Sequence, residues 1–228
     1  MSADTRFYRD WILANGFAES IGLGTTFAVG IRVAPLLEQS TGVLAVAAGV
    51  LAAVILGTLL EGVLVGVLQG GVLRRRFVAI GRRDWVVATA LGAGLAWLLG
   101  MMPSTVIGLL SEEEQTAAAR EPGLVVTLAL AAGLGLAAGP ILGFAQWTVL
   151  RRLTGASRWL WANALAWAVG MPLIFVGMDL VPWSRSWMTV TPLLYAWFGV
   201  VGGVVGAIHG RFLLKLQGSR ATGDRGDF

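Results

Sequence analysis

Three side chains in this sequence can take up or release a proton within otherwise apolar surroundings: Glu19, Glu61 and His209. Each lies in a long run of Ala, Gly, Val, Leu and Ile. An ionised group deep in hydrocarbon costs about 2.5–3.5 kcal/mol or more. It is therefore protonated, paired or hydrated, and by default it marks an ion or ligand pathway. The sequence has one histidine and no cysteine, which rules out a multi-histidine metal site within the chain, a disulfide and a thiolate nucleophile. Neither a Gly-x-Ser-x-Gly elbow nor a Gly-x-x-x-x-Gly-Lys phosphate loop occurs, so no enzymatic activity is expected. No cofactor can be named. The acidic run Glu112 to Glu114 reads as a solvated loop rather than a metal site.

A second set of polar residues repeats. Trp11-Ile-Leu-Ala14-Asn15 matches Trp85-Val-Val-Ala88-Thr89 and Trp159-Leu-Trp-Ala162-Asn163. Gly62, Gly66, Gln69 and Leu73 match Gly139, Gly143, Gln146 and Leu150, and again Gly202, Gly206, His209 and Leu213. Gly at i and i+4 leaves a flat strip for close helix contact. Gln at i+7 falls on the same face, two turns on. Asn15 and Asn163, about 6 Å inside their tryptophans at 1.5 Å rise per residue, share a layer with the glutamines, and bonds such as Gln69–Thr89 and Gln146–Asn163 are expected. The bland role of this layer is interhelical stapling, and the functional one is a polar ring around a ligand or water. Glu19, about 12 Å from Trp11, and His209, about 9 Å from Lys215, depart from the repeat, whose other copies carry Ala93 and Trp167, and Gln69 and Gln146. If the chain ends meet, Glu19 and His209 form a titratable pair. Otherwise they are two unrelated groups.

The elements that must position these residues follow from composition. Of 228 residues, 56% are hydrophobic and 13% charged, against about 45–50% and about 25% in soluble domains. Six apolar stretches, near 11–34, 43–73, 85–110, 123–152, 159–182 and 190–215, match the roughly 20 residues a bilayer-spanning helix needs. The expected fold is all-α, an integral membrane domain over 1–217 with a disordered tail over 218–228. Its six helices form three pseudo-repeated hairpins, the third split between the termini. Arg6, Arg9, Arg74–Arg76, Arg82, Arg83, Arg151, Arg152, Arg158, Arg211 and Lys215 collect on one side, which makes that side and both termini cytoplasmic. Tryptophans opening the helices read as interface anchors, as do Trp183 and Trp187, and Arg32 is expected to snorkel. Pro35, Pro103 and Pro172 are the expected helix breakers.

The pairs Gln146-Trp147-x-x-Leu150-Arg151-Arg152 and Trp159-x-x-Ala162-Asn163 resemble a motif of bacterial multi-pass membrane proteins without an assigned activity. The resemblance implies a bacterial membrane protein and carries over no activity; the expected location is the bacterial cytoplasmic (inner) membrane. Two functions are open. One is a non-enzymatic protein that binds a lipid, pigment or hydrophobic small molecule, or serves as an accessory subunit of a larger membrane complex. The other is a small transporter or channel using Glu19, Glu61 and His209. The expected partners are membrane lipids and other membrane subunits or a second copy. The basic balance is explained by the cytoplasmic loops, so nucleic acid is not among them.

Overall fold

The computed structural model describes residues 1–38, 43–110 and 123–216, with side chains over 1–33, 47–101 and 123–216. The Glu112–Glu114 loop and the 218–228 tail lie outside the described residues. The described chain is helical, with no strand: α1 Ala3–Glu38, α2 Val43–Leu56, a π-helical segment Gly57–Gly62, α3 Val63–Arg76, α4 Arg82–Leu110, α5 Leu124–Leu150, α6 Arg158–Leu180 and α7 Trp187–Leu213. Leu56 and Val63, on either side of the π segment, keep right-handed helical dihedrals, so α2 and α3 run on as one rod. Five rods are long and apolar enough to cross a membrane: Ala47–Arg76, Arg82–Met101, Leu124–Leu150, Arg158–Leu180 and Trp187–Leu213. α1, diluted by Asn15, Glu19, Ser20, Thr25 and Thr26, is not among them.

Large apolar side chains face outward at helical spacing, as Leu13, Phe17 and Ile21 do on α1 and Leu91, Leu95 and Leu98 on α4. Their burial is left to the surroundings, as expected of helices whose own hydrogen bonds satisfy the backbone in lipid. Pro140, Pro172 and Pro192 lie inside α5, α6 and α7 without ending them. Pro35 and Pro103 also fall within helix bounds. The departure from α geometry is the proline-free π segment, where the Val63 N–H reaches back five residues to the Thr58 carbonyl.

The rods pack in tight pairs. The α2–α3 rod lies on α4, α5 on α6, and α7 on α1. The pairs meet through α4 with α5, α6 with α7, and α1 with α3. One core fills the arginine-rich end, around Trp11, Trp85, Trp159, Leu73, Leu150 and Leu213. A second, further along, gathers Leu194, Phe198, Val201 and Val205 of α7 against Leu23 and Ile174. The three tryptophans correct the expectation of interface anchors. They are 0–1% exposed and touch one another, with Trp159 6.3 Å from Trp11 and 6.0 Å from Trp85 between ring centroids. Buried indoles need a partner for the N–H, and the glutamines supply one for two of the three. Trp183 and Trp187 are partly exposed, and the Arg32 guanidinium stacks 4.5 Å above the Trp187 ring.

Candidate functional site

The site is built from the repeated glycines upward. A methyl group on Gly139 would stand 2.5 Å from the Asn163 carbonyl oxygen, and one on Gly202 2.5 Å from that of Asn15. On Gly62 it would stand 2.9 Å from Ala90 Cα. One turn on, Gly66, Gly143 and Gly206 press on Thr89, Asn163 and Asn15. Gly62, Gly66, Gly139 and Gly202 thus seat their helix on the backbone of its pair partner, and Gly143 and Gly206 seat theirs on the Asn163 and Asn15 side chains. That approach carries the next polar residue, Gln69, Gln146 or His209, down to the Trp–Asn layer.

Two corners of this layer are closed by the same bonds. The Trp85 indole N–H donates to Gln69 Oε1 at 3.1 Å, and Trp159 to Gln146 Oε1 at 3.0 Å. The amide ends then reach across to the neighbouring pair. Gln69 Nε2 donates to Asn15 Oδ1 at 2.8 Å, and Gln146 Nε2 donates to Thr89 Oγ1 at 3.0 Å. The expected Gln69–Thr89 and Gln146–Asn163 bonds are therefore replaced by bonds one pair further round. Within each pair the glutamine already holds the indole, so its other end is free to tie to the next pair. Asn15, Thr89 and Asn163 anchor themselves by donating to the carbonyls of Trp11, Trp85 and Trp159.

The third corner holds His209, 2% exposed, with its ring 4.9 Å from that of Trp159. Both ring nitrogens, the Trp11 indole N–H and Asn163 Oδ1 are buried there without a hydrogen-bond partner. These are the atoms that would complete the pattern of the other two corners. Glu19 sits one turn above Asn15, packed over Gly202, and makes neither a hydrogen bond nor an ion pair with His209. The structure instead puts Glu19 near Glu61. Gly22, one turn on from Glu19, would press a methyl group 2.8 Å from Glu61 Cα, and the two carboxyl groups are within electrostatic reach of each other.

Above this floor lies a cavity of about 470 Å³. Its walls come from α1 (Leu23, Phe27), the π segment (Glu61), α4, α5 and α6, and they are almost wholly apolar. Glu61 is the only acidic side chain among them. Its Oε2 accepts a 2.7 Å bond from the Trp97 indole. A methyl group on Gly57 would overlap that indole at 2.3 Å, so a glycine is needed for Trp97 to lie across the π segment and reach the carboxyl group. Trp97 and Trp167 were not among the expected site residues. The available signal was depth, since Trp97 lies twelve residues, about 18 Å, beyond Trp85 and too deep for an interfacial belt. Among the described residues, no group of three His, Asp or Glu side chains could hold a metal ion.

No protein-family model matches this sequence, and no curated protein or solved structure is significantly similar to it.

Proposed function

We propose that the chain is a non-enzymatic, six-span protein of the bacterial cytoplasmic membrane that holds a hydrophobic small molecule or lipid chain in its cavity. Both termini are cytoplasmic in this reading. The three helix pairs are pseudo-equivalent hairpins, and α7 and α1 form the split third. Support for the array comes from the glycine contacts, which α7 and α1 make as α5 and α6 do. Support for the sixth span comes from α1 itself, whose 36 residues exceed the roughly 20 that a bilayer needs, and whose polar side chains Asn15, Glu19 and Thr26 are buried against the other rods.

The observation that carries the binding reading is the cavity. Its volume falls in the range of small-molecule sites, about 300–1,000 Å³, and such sites are mostly apolar with a few placed polar groups. Native mass spectrometry after gentle extraction from the source membrane tests it. A defined adduct that Ala93→Trp or Ala138→Trp removes, by filling the cavity, is the expected result. A bare chain, or an adduct indifferent to both substitutions, would refute it.

A second reading, a small transporter, draws on the π-helical segment at the cavity wall. Such π segments recur at functional positions. Flux of the same ligand across proteoliposomes would favour this reading over a static binder.

A further inference from the structure

Glu61 is the one acidic side chain among the named cavity walls, which also carry the indole N–H of Trp97, bonded to it, and that of Trp167, which has no partner. Glu61 is 7% exposed and lies in a wall of leucine, alanine, glycine, methionine and aromatic side chains. Among the described residues no Lys, Arg or His nitrogen stands within 4.0 Å of it; the ion pairs found join Arg9, Arg75 and Arg76 to Asp10 and Asp4 at the arginine-rich end. Its hydrogen-bond partner is the Trp97 indole, a neutral donor. Glu19, 2% exposed, stands behind it and also lacks a basic neighbour, and its Oε2 has no partner. Two buried carboxyl groups stand beside one apolar cavity with no ion-pair partner among the described residues, and a positive charge on the occupant would answer them. Buried charges persist when paired and become costly when not.

The aromatic walls act in the same direction. Trp97 and Trp167 both border the cavity. An indole face attracts a cation, most strongly where water is excluded. A bare metal ion does not fit, because hard cations need about six oxygen ligands and this wall offers one carboxyl group. An anion would lie beside two acidic side chains, and a neutral hydrocarbon offers Glu61 nothing beyond its bond from Trp97. We propose that the cavity takes a lipophilic amine: one cationic nitrogen against Glu61 and Trp97, with an apolar body of up to a few hundred Å³ filling the space toward Met171 and Met178. The proposal rests on the cavity being a binding site, and the experiment separates the two ideas.

Three probes of one shape and different charge are titrated into the full-length protein in lipid nanodiscs: 1-adamantylamine, 1-adamantanol and 1-adamantanecarboxylate. Binding is followed by tryptophan fluorescence against empty nanodiscs. The amine is expected to bind at least tenfold more tightly than the alcohol, and the carboxylate least of all. Glu61→Gln, whose amide oxygen can still accept from Trp97, should erase the preference for the amine over the alcohol. Glu19→Gln, one shell behind, should reduce the preference severalfold without erasing it, and it keeps the test open if Glu61→Gln does not fold. Equal affinity for amine and alcohol, or a preference that survives both substitutions, overturns the amine assignment and leaves the binding reading intact. Failure of all three probes to bind overturns the cavity reading itself.

Discussion

The polar layer at the arginine-rich end contains two solutions to one problem. At the Gln69 and Gln146 corners, a primary amide accepts from the indole of its own pair and donates to the next pair, so every buried polar atom between them is answered. At the His209 corner an imidazole, with one donor and one acceptor when neutral, stands in the same frame and leaves four atoms unanswered. An unanswered buried group costs about 1–3 kcal/mol. The third corner therefore gives up stability that the other two retain, and it does so one turn from Glu19, which packs over Gly202 of the same pair. Sequences that break a local rule tend to do so near functional sites. The contrast teaches that the helix pairs share a scaffold while one corner differs in chemistry.

The most damaging way to break the comparison is through the scaffold. Gly139→Ala and Gly202→Ala each drive a methyl group to 2.5 Å from a carbonyl oxygen of the partner backbone. Backbone cannot rotate aside, so each should cost about 3 kcal/mol, the upper end of the overpacking range. Both should lower the thermal midpoint in detergent by the same amount. If Gly202→Ala proves much milder than Gly139→Ala, the split pair is not the equivalent of the contiguous one.

A smaller loss is expected from the polar layer. Gln146→Leu strands the Trp159 N–H and removes the tie to Thr89, at a cost of about 1–3 kcal/mol. His209→Leu removes a ring whose nitrogens bond to nothing, so its cost should be under about 1 kcal/mol. Equal losses on thermal melting would mean that His209 is bonded as firmly as Gln146.

The spacing marked Gly at i and i+4 as a strip for close helix contact, but it did not say whether those strips close on one another or on another subunit; in the structure they lie against helices of the same chain. The same spacing misplaced the tryptophans, which are buried rather than interfacial. A Trp at the start of an apolar run reads as an interfacial anchor, and the facing Gln69 and Gln146, which accept from Trp85 and Trp159, are what reveal that these indoles turn inward. The partner of each glutamine amide also escaped, since spacing along one helix says nothing about which neighbouring pair lies within reach. Glu19 and His209 stand out from the repeat, yet no hydrogen bond or ion pair joins them, while Glu19 lies close to Glu61. The cavity was not legible at all. It depends on Gly57 admitting Trp97 across a π segment that contains no proline to announce it.

Replacing the exception with the rule sharpens the contrast from the other side. His209→Gln supplies an acceptor for the Trp11 N–H and a donor for Asn163 Oδ1. Interhelical bonds of this kind are worth about 0.6 kcal/mol on average in membranes and at most about 2. The variant should therefore be more stable than the parent by about 1 kcal/mol. Trp11→Phe in the same background should cancel part of that gain. A double-mutant cycle that shows no coupling would mean the third corner does not share the geometry of the others.

The smallest effect belongs to the exposed rim of the same layer, and it separates buried order from surface charge. Arg75, 72% exposed, pairs with Asp10 at 3.2 Å. Arg76, 23% exposed, pairs with Asp4, donates to the Leu214 carbonyl at 3.3 Å and lies 5.1 Å above the Phe7 ring. Exposed pairs contribute about 0–1 kcal/mol and weaken with salt. Arg75→Ala should shift the melting midpoint by an amount near the error of measurement, and 0.5 M salt should remove what shift there is. Arg76→Ala should cost more and keep most of its effect in salt, because its aliphatic stem and ring contact join α3 to α1 and to the chain after α7. If the two arginines behave alike, the rim is held by charge alone and contributes nothing to the packing of the layer above it.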